Sequence, residues 1–185
     1  MKPILIGIAG PSGSGKTTAA DAIAKQLDAL VFHSDNYFQA ELPTMISPDD
    51  GQAYPDWNHP ASLRSQDLIR DIRQAAGAAE HSYIVAEGAL LFYFEELRPL
   101  FDYKIFITAR IETCLYRRIV RNVKLFGQSP EIIGQYYLRC ARHREAEYCL
   151  PTIQYADYVI DNDIGCRDAL NKLPFMQQNP IPFAG

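Results

Sequence analysis

The run Ile4-Leu5-Ile6-Gly7-Ile8-Ala9-Gly10-Pro11-Ser12-Gly13-Ser14-Gly15-Lys16-Thr17-Thr18 decides the fold. Residues 10–17 fill every fixed position of the pattern G-x-x-x-x-G-K-[ST]. The apolar segment before them, Ile4–Ala9, reads as a buried parallel strand. The segment after them, 18–27, is rich in helix formers and sets Ala19, Ile23 and Leu27 at i, i+4 and i+8. Strand, glycine loop and helix form the context in which this pattern cradles phosphate. Gly10, Gly13 and Gly15 let the backbone turn tightly and bring its N–H groups against phosphate oxygens. Pro11, Ser12 and Ser14 complete the loop, and the helix adds a positive dipole end with unpaired N–H groups. Lys16 is expected to reach the β- and γ-phosphates, and the Thr17 hydroxyl, with Thr18 following it, to ligate Mg²⁺. The bland alternative is a glycine-rich turn with no ligand, and both flanks argue against it. The expected ligand is a nucleoside triphosphate.

A chain of 185 residues is long enough for one domain with a continuous core. Its hydrophobic fraction of 48% and charged fraction of 22% are those of a soluble globular protein. A net charge of −4 gives no general attraction to nucleic acid or to an anionic membrane, so a small-molecule partner is expected. Cys114, Cys140, Cys149 and Cys166 are scattered without C-x-x-C or disulfide-like spacing and read as buried free thiols. No apolar run approaches the ~18 residues of a membrane span. The first apolar run is too short for a signal sequence, and a cytoplasmic protein is expected. Oligomeric state stays open, a homo-oligomer included.

Further along, Leu30–His33 reads as a second strand leading into Ser34-Asp35-Asn36-Tyr37-Phe38. Ligands of open parallel sheets bind beyond the carboxyl ends of the strands, which places Asp35 toward the γ-phosphate. There it could accept a proton from an attacking hydroxyl or hold Mg²⁺ through water; a turn or capping aspartate is the alternative. Gln39 to Pro60 shows no clear period, and the aromatics Tyr37, Phe38, Tyr54 and Trp57 argue against disorder, so about 35–60 reads as a loop closing over an acceptor. Trp57-Asn58-His59-Pro60 leads into a helix with Leu68, Ile69, Ile72 and Ala76 on one face, followed by a turn over 77–82. Tyr83–Glu87 reads as a third buried strand whose closing acid suits a Mg²⁺-organising carboxylate. Tyr103–Thr108 is a fourth strand.

The spacing predicts a helix over 111–125, with Leu115, Ile119 and Val123 in an apolar stripe. Arg117, Arg121 and Lys124 form another face, with Arg118 beside it. Arginines concentrated between 110 and 144 of an acidic chain are expected over the phosphates. Phe126-Gly127-Gln128 breaks the helix, and Ser129 with Pro130 starts another that runs to about Tyr148. Residues 111–150 are thus expected to form a closing lid. Tyr158–Asp161 is a last strand, 166–173 a short helix, and the proline-rich stretch 174–185 a surface tail or a disordered one. The alternation predicts a three-layer α/β fold of the P-loop NTPase type within one domain, 1–185: a mostly parallel sheet, helices on both faces and a helical lid.

These motifs, GPSGSGKTT, SDNYF, WNHP, AEGALLFY, RRIVRNV, QYY, EYCLPT and YADYVID, run in order over residues 4–161. In that order the chain resembles the uridine kinase family, to which nicotinamide riboside kinases and phosphoribulokinases are related. The resemblance implies ATP- or GTP-dependent, Mg²⁺-assisted phosphorylation of a ribose 5′-hydroxyl on a uridine- or cytidine-like acceptor. Nicotinamide riboside or another ribosyl or small alcohol is the alternative acceptor. By the resemblance Asp35 is the base, Glu87 and Thr17 organise the metal with Asp35, and Lys16 holds the phosphates. Arg117, Arg118 and Arg121 are lid arginines, and Tyr37, Trp57, Asn58, His59, Tyr93 and Gln135 line a nucleoside pocket. Two positions depart from the family pattern. Asn58 stands where an aspartate is frequent, so the group still accepts hydrogen bonds but also donates and carries no charge. Phe126-Gly127-Gln128 replaces R-G-R and loses two guanidiniums. A non-catalytic nucleotide-binding regulator is the rival from another class. The joint presence of Lys16, Asp35, Glu87 and Arg121 argues against it.

Overall fold

The structure, a computed structural model, describes residues 2–182. In chain order its elements are β1 (Ile4–Ala9), α1 (Lys16–Leu27), β2 (Leu30–His33), β3 (Thr44–Ile46), β4 (Ala53–Pro55), α2 (Ser65–Ala78), β5 (Tyr83–Glu87), β6 (Tyr103–Thr108), α3 (Ile111–Phe126), α4 (Pro130–Tyr136) and β7 (Tyr158–Asp161), with short helical turns between them. Five strands form one parallel sheet in the order β2-β5-β1-β6-β7. The first strand sits in the middle, so the connections leave it in opposite directions and a crevice opens beyond its carboxyl end. Ile8 and His33 both pair with Glu87, which brings the ends of β1, β2 and β5 level.

Both faces of this sheet are covered, which is why its strands read as near-continuous apolar runs. Ile6 and Ile8 face Ile23 of α1, with Val85, Ile105 and Phe175. Leu5 and Ala9 face Leu68 and Ile72 of α2, with Phe92 and Phe106. The result is the expected three-layer α/β arrangement.

Several local expectations need correction. Residues 35–60 are not a plain loop: β3 and β4 pair as an antiparallel hairpin. Strands of three residues are too short to leave a period in the sequence. Helix α2 continues through Gly77 and ends with Ala79 in the left-handed region at φ 51°. In α3 the apolar stripe is not buried. Leu115 and Ile119 are only half-buried and Val123 is exposed, while the buried residue of the helix is Cys114, because the helix stands away from the sheet.

Ser129 caps α4, its hydroxyl accepting from the Ile132 N–H at 3.2 Å. From there a helical run continues to Cys149 through two π turns, Tyr137–Ala141 and Glu145–Cys149. This run buries Ile133, Tyr137, Cys140 and Cys149, so the second half of the expected lid is packed on the body. The tail is not wholly a surface segment either. The turn Pro174–Met176 drives Phe175 and Met176 into the core, and the Asn171 side chain exchanges two hydrogen bonds with the Ile181 backbone. Residues 183–185 of that stretch lie outside the described residues. All four cysteines are free, with Cys114, Cys140 and Cys149 buried. Among the described residues no helix is long and apolar enough to cross a membrane.

Candidate active site

The loop between β1 and α1 is shaped by two glycines in left-handed conformations. Gly13 has φ 87°, and a Cβ there would strike the Cys114 carbonyl; Gly15 has φ 93°, and a Cβ there would strike the Asn162 amide. That amide donates to the Ser14 carbonyl at 2.7 Å and braces the loop from behind. Gly15 caps α1 with no side-chain bond, which leaves the first-turn N–H groups free for an anion. Lys16, the first residue of the helix, is buried.

One cavity of about 1060 Å³ lies over this loop. Its wall includes Ser12, Gly13 and residues 15–18 of the loop, then Asp35, Glu87 and the three arginines of α3, and finally Trp57 and Asn58. Such a volume lies at the upper end of the range for ligand pockets, about 300–1,000 Å³, and leaves room for two ligands side by side. Gly10, Pro11 and Ser14 form the back of the loop and do not belong to the wall; Gly10 sits against the Ile107 carbonyl.

Each polar group of the wall has a distinct environment. Glu87 is buried; its Oε1 lies 3.0 Å from His33 Nδ1, while Oε2 has no partner. A buried carboxylate oxygen left unpaired costs free energy, so this one is suited to a cation or a donor arriving from the cavity. Gly88 lets the chain pass Ser34, whose hydroxyl would meet any Cβ at 88. Asp35 sits in the helical turn Ser34–Tyr37 with its side chain exposed to the cavity. Arg118 places its guanidinium 5.4 Å over the Tyr136 ring and leaves Nε and Nη1 buried without partners. Arg117 is held differently, its Nη2 donating to the Asn162 and Asp163 carbonyls at 2.9 and 3.0 Å. Desolvation in the cleft, then Arg118, lowers the Arg121 guanidinium pKa, against the pull of Asp35 and Glu87.

The end of the wall that carries Trp57 and Asn58 is aromatic and amide. Trp57 is 46% exposed with Phe38 edge-on at 5.0 Å, and the Asn58 side-chain Nδ2 is buried without a partner.

Residues 51–168 match the family described as Phosphoribulokinase / Uridine kinase. The chain belongs to that family. It is 30% identical over 182 residues to a uridine kinase of Deinococcus deserti, covering 86% of this chain and 88% of that one. A uridine kinase of Brevibacillus brevis is 28% identical over 92% of this chain and 90% of its own length. A solved structure from Bacillus stearothermophilus, described as a possible uridine kinase, superposes with a TM-score of 0.55 at 19% identity, covering 86% and 89% of the two chains. That likeness shows the fold. Family membership makes the chain an ATP-dependent phosphotransferase.

Within this kinase four residues expected in the nucleoside pocket lie outside the cavity. Tyr37 turns to α2, where its hydroxyl donates to Asp71 at 3.0 Å; burial first, then Asp71, pushes its pKa up to about 12. His59 caps the next turn, Nδ1 accepting from the Ala61 N–H at 3.0 Å, and its ring packs on Tyr148. Tyr93 lines a separate cleft with Tyr148 and Arg98. Gln135 is exposed, and its neighbour Tyr136 turns inward instead, donating to the Pro55 carbonyl at 3.0 Å. One step along a helix swings a side chain by about 100°, so a one-residue error in face exchanges one for the other.

Sequence reasoning also missed His33, Asn162 and Glu145. Glu145 is 6% exposed and accepts from the Ser12 N–H at 3.2 Å. An acid on a helix carries no local sign that it is buried. Asn162, directly after a strand end at the ligand-bearing edge, had a positional signal that could have found it.

Proposed function

We propose that this kinase transfers the γ-phosphoryl group of ATP to the 5′-hydroxyl of a nucleoside-like small molecule, uridine or cytidine being the leading acceptors. One observation carries the reading: a single cavity joins the glycine loop and Lys16 to the carboxylates of Asp35 and Glu87, three arginines and the unpartnered amide of Asn58. Loop N–H groups, Lys16 and Arg118 hold the phosphates. Asp35 accepts the proton of the attacking hydroxyl, and Arg121 lies where negative charge builds on the transferring group. Asn58 meets the ribose hydroxyls, donating through Nδ2 and accepting through its carbonyl oxygen.

Among the described residues no three His, Cys, Asp or Glu side chains gather as a metal cage. Thr17 and the free oxygen of Glu87 nonetheless fit Mg²⁺ of the kind that phosphate oxygens and water also ligate, with Asp35 reaching it through water. When bound, that ion would neutralise charge on the phosphates. The reading takes 1–185 as one P-loop kinase domain acting in the cytoplasm, with α3 as the exposed part of a lid that limits water access.

A second acceptor is favoured by Trp57, whose exposed face, braced by Phe38, offers a stacking surface for a cationic ring such as that of nicotinamide riboside. A panel of uridine, cytidine and nicotinamide riboside with ATP and Mg²⁺ tests both. Phosphorylation of uridine or cytidine is the expected result. Turnover of nicotinamide riboside alone would replace the acceptor, and nucleotide binding without transfer to any alcohol would leave a non-catalytic nucleotide-binding regulator.

A further inference from the structure

Two consecutive side chains of the 130–149 helical run leave it toward opposite ends of the cavity. Arg144 Nε donates to Asp56 Oδ2 at 2.6 Å. Asp56 is fully buried, and its other oxygen accepts from the Asn58 N–H at 3.3 Å. Its own N–H donates to the Pro43 carbonyl at 2.8 Å. Arg144 therefore grips the turn that carries Trp57 and Asn58.

The next residue does the same for the phosphate loop. Glu145 accepts from the Ser12 N–H. Burial raises its pKa, while Arg118, that amide and Lys16 pull it back, so Glu145 shares a field with two phosphate-holding cations. Neighbouring residues on a helix point about 100° apart, which is how one backbone reaches both ends. The geometry changes from α to π at this point, a local distortion that recurs at functional sites. A triphosphate entering the loop gives Lys16 and Arg118 new anionic partners. Glu145 must then readjust, and Arg144 is covalently the next residue.

We propose that Arg144 and Glu145 are positioning residues forming a two-armed strut, through which filling the phosphate loop sets the position of the turn bearing Trp57 and Asn58. The proposal rests on the kinase reading but not on the identity of the acceptor. Trp57 is the single tryptophan of the chain, so its fluorescence reports on that turn. The experiment titrates the protein with Mg²⁺ and a non-hydrolysable ATP analogue, AMP-PNP, without acceptor, and follows Trp57 emission at nucleotide saturation fixed by calorimetry. One variant is Glu145→Met. The other pairs Arg144→Met with Asp56→Asn, which cuts the second arm without leaving a buried charge unpaired. Hydrogen exchange at the Asn58 amide, which is bonded to Asp56, gives a second measurement on the same samples.

Wild type should show a saturable Trp57 change and slower Asn58 exchange. In both variants, with nucleotide bound, both responses should shrink at least about fivefold. A full-sized response in either variant would show that the nucleotide acts on Trp57 across the cavity and would overturn the strut. So would a wild-type protein that binds AMP-PNP with neither response. A wild type that binds no nucleotide refutes the kinase reading itself, and the strut with it.

Discussion

Replacing Asp35 with Asn separates the chemical role of this carboxylate from its effect on binding. The amide keeps the size of the side chain and its place in the turn Ser34–Tyr37 but no longer takes a proton. General-base catalysis contributes typically about 10²–10⁴ in rate, or roughly 2.7–5.5 kcal/mol of barrier. The binding effect is far smaller, because Asp35 is exposed. At ~7 Å in water, one unit charge acts on another with about 0.6 kcal/mol. Removing a negative charge that faces both the phosphates and the Mg²⁺ they hold should thus leave ATP affinity within about threefold of wild type. Steady-state kinetics with the acceptor that turns over, together with calorimetric titration of AMP-PNP, measures both quantities. A kcat loss below about tenfold, or a Kd for nucleotide that rises in step with the lost rate, would refute the assignment.

Gly13→Ala should weaken ATP binding at least about tenfold by calorimetry: its φ of 87° costs a Cβ-bearing residue roughly 1–2 kcal/mol and the Cys114 carbonyl blocks the methyl. Wild-type affinity would mean that the loop is not held in this shape. Phe175→Ala should destabilise the fold by about 3–5 kcal/mol in urea titrations, since the ring is 7% exposed and packs 4.9 Å from Tyr103; a loss under about 1 kcal/mol would put the segment outside the core. Burial, more than the neighbouring Glu145, pushes the thiol of Cys149 up to about 12 and that of Cys114 up to about 11. The unfolded chain releases these protons near 8.5 while the folded chain keeps them. Stability should therefore be fully present below that pH and fall as pH rises toward the folded values, by up to about 1.4 kcal/mol per pH unit for each thiol. Urea midpoints that do not drop between pH 8 and pH 10 would contradict this.

The parts of the site that were legible in the sequence are those governed by short-range rules. The glycine loop declares itself because left-handed backbone and close approach leave few alternatives to glycine at Gly13 and Gly15. Strands buried on both faces write apolar runs, and the runs ending in His33 and Glu87 marked the sheet edge where ligands gather. The arginines of α3 stood out as a basic segment in an acidic chain. The wall around Trp57 was read less well. Trp57 and Asn58 face the cavity, but Tyr37 and His59, only one or two residues from groups that do, turn to Asp71 and Ala61. In turns and short helical segments a single residue step reverses direction, and nothing local records it.

By itself, then, the sequence determined the phosphate cradle, the parallel α/β sheet and the carboxylates at its edge, because each depends on backbone geometry or periodicity within a few residues. Tertiary structure alone decided what braces and joins them. Asn162 supports the loop from 148 positions away, Glu145 reaches Ser12 across 133, and Arg144 reaches Asp56 across 88. Such contacts are set by how layers pack against one another. A buried Glu or Arg has the same letter as a solvated one until packing removes the water around it.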